Sequence, residues 1–238
     1  MIEVRLQSNY MLDNDHIYHI YNRGVEKRDI FLNNKDCLRF IVNLYEFNNT
    51  APAINFGRNL DSQPIEVRLQ SSRKEPLVDI LAFCLMPNHY HLMLRQLLER
   101  GITEFMRKLG TGYTNYFNLK YNRVGPLFQG KFKSVILERE QHFQHLPHYI
   151  HLNPLDLLMP TWREGHIRDT KKAMDFLNKY RWSSLPDYLA IKNFPTITNR
   201  EFLTECVGSP NDFKKRIIEW MNSMDFESIQ TVTLDWDG

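Results

Sequence analysis

Two histidines separated by one residue, His89 and His91, stand in the stretch Met86-Pro87-Asn88-His89-Tyr90-His91-Leu92-Met93-Leu94. On a β-strand, alternate residues point to the same face, so this spacing can offer two imidazoles to one ion. Neutral imidazole suits borderline divalent metals. Two structural histidines in a sheet would leave the same pattern, and the pair alone does not separate these readings. A second segment, His148-Tyr149-Ile150-His151-Leu152-Asn153-Pro154, reads as the end of a helix. There Tyr149 and Asn153 share a face one turn apart. The amide oxygen of Asn153 could complete a set of neutral ligands, which leaves a cation's charge available to polarise a phosphate. A phenol with a pKa of about 10 is a weak nucleophile at neutral pH. A polarised phosphodiester and a nearby base would compensate. A buried core tyrosine next to a helix-ending Asn-Pro is the competing reading.

Charge is segregated along the chain. The net charge is only +2, too small to name a partner. Yet Phe105 to Leu137 holds no Asp or Glu, where the chain average would place about four. The same run carries Arg107, Lys108, Lys120, Arg123, Lys131 and Lys133, interleaved with Tyr113, Tyr116, Phe117, Tyr121, Phe128 and Phe132. Cations that track phosphates, with rings that stack on bases, are the ingredients of single-strand nucleic-acid binding.

The 238 residues suffice for one large domain, and 42% hydrophobic and 24% charged residues are ordinary for a globular chain. Cys37, Cys84 and Cys206 lie far apart, which argues against a disulfide framework or a zinc cage and for a reducing cytosol. The N-terminal sequence has charges where a signal peptide needs an apolar run, and no stretch approaches the roughly 18–20 apolar residues of a membrane span. The expected location is cytoplasmic and nucleoid-associated, with no membrane partner.

The elements that must position these residues follow from periodicity. Strands are expected over His16–Arg23, Leu77–Met86, His89–Arg95 and Phe132–Leu137, the middle two joined as a hairpin through Pro87-Asn88. Helices are expected from Asn34, as cap, to about Phe47, from a Thr103 cap through Phe117, and over Glu140–Leu152. Gly110 and Gly112 weaken the second. Pro147 either kinks the third or marks its start. This order is that of an α+β, ferredoxin-like antiparallel sheet with helices on one face. Residues 1–160 are expected to form this core, with an insertion over 48–76, and residues 161–238 a helical extension packed on it. The heptapeptide IEVRLQS occurs twice, at Ile2–Ser8 and Ile65–Ser71. A copied DNA repeat would explain two perfect copies in otherwise unlike surroundings.

The segments HIYNRGVEKRDIF, LMPNHYHLML, NRVGPLFQGKFKS, YIHLNP and YRWSSLPDYL occur in this order over about residues 14–190. In this the chain resembles the REP-associated tyrosine transposases, within the single-tyrosine HUH transposases of insertion sequences. The resemblance implies an HUH nuclease core in which His89 and His91 bind a divalent metal, Mg²⁺ or Mn²⁺. It places the nucleophile at Tyr149, the third ligand at Asn153, and lesser DNA contacts at Asn22 and Arg23. It further implies a 5′-phosphotyrosine intermediate with a free 3′-hydroxyl, formed on single-stranded DNA carrying a hairpin or palindromic repeat. Both a homodimer and a monomer fit the resemblance. Two rival functions remain open at this stage. One is a catalytically inactive DNA-binding protein or regulator at palindromic repeats. The other is a phosphoesterase using water, which would need more ligands, and no Asp or Glu cluster lies near the motif.

Overall fold

A computed structural model describes residues 12–52, 75–164, 167 and 169–223. The core runs β1 (Ile17–Arg23), α1 (Asn34–Glu46), β2 (Val78–Met86), β3 (His89–Gln96), α2 (Gly101–Lys120), β4 (Lys133–Ile136) and α3 (Glu140–Leu152). Among the described residues four further α-helices follow: α4 (Thr170–Lys179), α5 (Leu185–Tyr188), α6 (Arg200–Val207) and α7 (Pro210–Ser223). The strands form one antiparallel sheet in the order β2-β3-β1-β4, the ferredoxin-like arrangement. Both copies of the heptapeptide lie outside the described residues, as does most of 48–76. No helix among the described residues is long and apolar enough to cross a membrane.

Alternation decides which face each strand residue serves. Tyr18 and Ile20 of β1, with Tyr90, Leu92 and Leu94 of β3, join α1 and α2 in one apolar layer. Tyr21 and Met93 face the other way, into a layer built by α3 and the C-terminal helices. Both faces of the sheet are therefore buried, which corrects the expectation of helices on one face: α3 and the C-terminal helices cover the second. That is why β2 reads as a continuous apolar run rather than an alternating one. A bulge between Ile80 and Ala82 shifts the phase of β2. Val78 and Ile80 serve the α1/α2 layer before it, Phe83 and Leu85 after it, while Leu81, Ala82, Cys84 and Met86 serve the α3 layer.

Local chemistry sets the helix ends. Asn33, one residue before the expected cap, accepts from the Lys35 backbone, and Asp36 accepts in return from the Asn33 backbone. Helix α2 begins at Gly101, not after Thr103. The Gln96 side chain at the end of β3 accepts from the Ile102 N–H and so supplies the cap from a distant residue. Both glycines lie inside α2. A Cβ on Gly112 would stand 2.4 Å from the Phe47 ring, so this glycine lets α1 and α2 close together. The ends of the expected insertion are tied to the core by Asn48, whose side chain accepts from the Leu77 and Val78 N–H groups.

The segment after α4 closes the outer edge of β2. Leu85 N–H donates to Trp182 O, and Ser184 N–H donates to Phe83 O. Ser184 Oγ also accepts from the Phe83 N–H, and Asn199 N–H donates to Ile80 O.

The α1/α2 pair is pinned by one carboxylate. Asp36 is fully buried and accepts from Lys120 Nζ at 2.6 Å, Tyr121 Oη at 2.8 Å and Tyr116 Oη at 2.9 Å. Burial pushes its pKa up, but these donors outweigh burial and hold it below the ordinary carboxylate value. Asp36→Ala should therefore cost about 3 kcal/mol in urea unfolding at neutral pH. A carboxyl with a depressed folded pKa contributes above the unfolded value of about 3.9 and stops contributing as pH falls through the folded one. The gap between variant and wild type should accordingly close below about pH 4.

Candidate active site

The antiparallel register builds the site. His91 stands opposite Tyr21 on one side and Cys84 on the other, and Tyr21 is opposite Lys133. His89 is paired with Arg23, and His19 with Met93 and Val135. Directly opposed residues share a face. So His19, Tyr21, Arg23, His89, His91 and Lys133 all project from the side of the sheet that α3 covers. The His89 and His91 ring centroids are 4.9 Å apart.

Helix α3 lays Tyr149 across this face. Its ring meets His91 edge-on at 5.7 Å and His19 at 6.2 Å, and only 2% of the residue is exposed. Pro147 sits in the interior of α3, not at its start, and the helix continues through it to Leu152. Asn153 caps the helix twice over. Its backbone N–H donates to the Tyr149 carbonyl, and its Nδ2 donates to the same oxygen at 2.8 Å. The one-turn relation expected of the pair is thereby locked, and Pro154 opens a short 3-10 turn, Asn153–Leu157. The Asn153 amide is also a hydrogen-bonding partner of His89. All four residues singled out in the two motifs thus meet in one cluster.

The donor set fits a cation. His89 Nδ1 is 2.7 Å from Asn88 Oδ1, and His91 Nδ1 is 2.9 Å from His19 Nε2, so each ring turns its Nε2 edge elsewhere. His91 Nε2 is buried without a hydrogen-bond partner, as a ligand atom awaiting a cation would be. Burial, then the Arg23 and Arg163 charges, push His89 down to about 3. Burial, then His89, His19 and Arg163, hold His91 well below its ordinary value. Both imidazoles are thus neutral at physiological pH, the form that ligates. Among the described residues no cluster of three or more His, Cys, Asp or Glu could hold a metal. Two imidazoles and a neutral amide are the groups here that could meet a cation.

Two residues given no role by the sequence also belong to the cluster. His19 is fully buried and meets His91 edge to edge, with ring centroids 5.1 Å apart and planes 19° apart. Its sequence signals are its place at the head of the HIYNRGVEKRDIF segment and a histidine among the apolar and aromatic residues Ile17–Tyr21. Arg163 lies in a short 3-10 turn, Trp162–Glu164, beyond the expected core. It donates to Asn153 Oδ1 at 3.0 Å, pairs with Asp156, and sits 5.8 Å from the Tyr149 ring centroid. Nothing in the sequence around it has periodicity or a motif that would single it out.

The cations expected to contact DNA divide by location. Arg23 and Lys133 share the histidine face, and exposed Lys131 adjoins it. The other four stand apart from that face. Arg107, Lys108 and Lys120 belong to α2 on the opposite face, and Arg123 follows that helix. Lys108 is 6% exposed and donates to the Asn49 and Ala51 carbonyls, which makes it a structural cation. Lys120 is engaged by Asp36, Arg107 by Glu104, and Arg123 by Asn118 Oδ1. Asn22 also turns away from the histidines. It donates to Gly130 O, accepts from the Arg23 N–H, and hydrogen-bonds Tyr90. Its role is to hold the Gly130 loop beside β1. There Gly24 pairs with Phe128, and Asn22, Phe128, Gln129, Gly130 and Lys133 line a cleft of about 530 Å³.

The four-stranded antiparallel sheet thus carries a His-x-His strand that faces a helix bearing a tyrosine. Residues 58–153, which contain His89, His91, Tyr149 and Asn153, match the model of the family described as "Transposase IS200 like". The match makes this segment, less than half of the chain, similar to that family. Among solved structures, a REP-associated tyrosine transposase bound to a REP hairpin is similar at 13% identity and a TM-score of 0.44. That likeness covers 82% of this chain and 90% of the other. No curated protein matches the chain.

The tyrosine helix carries its own acid sensitivity. His148 packs against Phe213 and Trp220, and His151 bonds Ser184. Burial, then the neighbouring His145 and Arg216, push His148 down to about 3, and burial, then His148, does the same to His151. A depressed imidazole lets the unfolded chain bind more protons below its ordinary value of about 6.5. Stability should therefore fall as pH drops below that value, by about 2 kcal/mol per imidazole at pH 5. His148→Phe should flatten the dependence of the urea midpoint between pH 7 and 5. An unchanged slope would contradict the assignment.

Proposed function

We propose that the chain is a tyrosine-dependent transposase that nicks and rejoins single-stranded DNA bearing a hairpin or palindromic repeat. The observation that carries this reading is the meeting of Tyr149, His89, His91 and Asn153 in one cluster beneath α3. A divalent cation, Mg²⁺ or Mn²⁺, held by His89, His91 and Asn153, would polarise the scissile phosphodiester when bound. Tyr149 attacks the phosphorus in line, giving up its phenolic proton to a base. A tyrosine–phosphorus bond forms as the bond to the 3′-oxygen breaks, and that oxygen leaves as a protonated 3′-hydroxyl. The 5′-phosphotyrosine keeps the bond energy, so the 3′-hydroxyl of the same or another strand can reverse the step. Arg23, Lys131 and Lys133 hold the backbone of the strand across the histidine face. Arg163 supports the developing negative charge, because its guanidinium lies against the Tyr149 ring. The family that residues 58–153 match is described as a transposase, which supports the reading at that coarser level.

A second reading, a DNA-binding protein that does not cut, draws on how closed the site is: Tyr149 is 2% exposed and Asn153 fully buried. The two diverge on a denaturing gel of wild-type protein with a labelled hairpin oligonucleotide and Mn²⁺. A covalent adduct supports the transposase, and binding without an adduct supports the regulator. Tyr149→Phe should abolish the adduct and leave hairpin affinity within about threefold, since a lost hydroxyl at a non-binding position costs little. An adduct that survives would move the nucleophile to another tyrosine. Arg163→Ala should slow adduct formation by about 10²-fold with hairpin binding retained. An unchanged rate would remove Arg163 from the chemistry.

A further inference from the structure

The partner of His91 on β1 is a third imidazole, and nothing in the His-x-His motif calls for it. His19 lies on the same face, one diagonal step from His91 across the β1–β3 ladder, because His91 pairs with Tyr21. Both rings are buried, lie nearly parallel at 19°, and bring His19 Nε2 to 2.9 Å from His91 Nδ1. One proton is shared along this contact, and its position decides what the far edge of His91 can do. If His19 donates, His91 must carry its own proton on Nε2, where it has no acceptor. If His91 donates from Nδ1, its Nε2 presents a lone pair into the cluster with His89, Asn153 and Tyr149. Only the second arrangement allows ligation.

We propose that His19 is a positioning residue for the divalent-cation site: its Nε2 accepts the Nδ1 proton of His91 and so aims the His91 Nε2 lone pair at the cation. The inference rests on the site reading given above and adds to it a residue that touches neither the cation nor the DNA. The hydrogen bond fixes both the tautomer and the rotation of the ring. Partners of this kind sustain metal affinity by about 10–100-fold. His19 thereby couples the first strand of the fold to a ligand on the third.

The test uses the full chain without DNA. Free Mn²⁺ is counted by electron paramagnetic resonance during titration of wild type, His19→Phe, His19→Gln and His89→Ala. Wild type should bind one Mn²⁺ that His89→Ala loses. His19→Phe should bind about 10–100-fold more weakly. His19→Gln should recover most of the affinity, because its amide oxygen can accept the same proton. An unaltered affinity in His19→Phe overturns the inference alone, and so does a Gln variant as weak as Phe. Wild type that binds no Mn²⁺, or a His89→Ala variant that binds as well, overturns the site reading and the inference with it. The tautomer is also read without mutation, from ¹⁵N–¹H couplings of the wild-type imidazoles. A proton on His91 Nδ1 is expected, and one on Nε2 overturns the proposal should His19→Phe not fold.

Discussion

The pairing of β1 with β3 governs the rest of the molecule. Its register sets Arg23 against His89 and Tyr21 against His91, and it leaves His19 one step away on the same face. A slip of one residue would turn every one of these side chains to the opposite layer. The apolar residues between them resist such a slip, because Tyr18, Ile20, Tyr90, Leu92 and Leu94 fill the layer beneath α1 and α2. Site geometry and core packing are therefore fixed by one hydrogen-bond ladder. The polar cluster pairs most of its polar groups internally: His19 with His91, Asn153 with His89 and with the Tyr149 carbonyl, Arg163 with Asn153 and Asp156.

Several of these relations were legible in the sequence because they depend only on local geometry. The i, i+2 spacing of His89 and His91 and the i, i+4 spacing of Tyr149 and Asn153 become shared faces as soon as strand and helix form. Helix α3 itself, Glu140–Leu152, follows from its periodicity and its Asn-Pro end. What the sequence hid was long-range. Gln96 caps α2 from another element, so no N-cap residue marks the true start at Gly101. The bulge at Leu81 erased alternation in a strand already buried on both sides. His19 shows as a lone histidine until the register brings it to His91, and Arg163 lies in an irregular segment.

The acid-free run illustrates a different gap. Six cations in a stretch without carboxylates point to nucleic-acid binding by that segment. Helix and strand geometry scatter them instead, and carboxylates elsewhere in the chain meet three of them. Asp36 on α1 takes Lys120, and Glu104, one residue before the run begins, takes Arg107 and Lys108. Charge segregation along a chain becomes segregation in space only when the elements carrying it face the same way. Here that holds for Arg23 and Lys133, which two different strands bring together.

The closed margin of β2 has a consequence for assembly. An unpaired strand invites another chain to extend the sheet. Residues Trp182–Ser184 and Asn199 occupy that position from within the same polypeptide, with backbone bonds to Ile80, Phe83 and Leu85. A second molecule that sought to lengthen the sheet by strand addition would find this flank already taken, and would have to approach beside the four-residue β4. The stretch that matches the transposase model ends at Asn153, so this built-in stopper is contributed by sequence downstream of it.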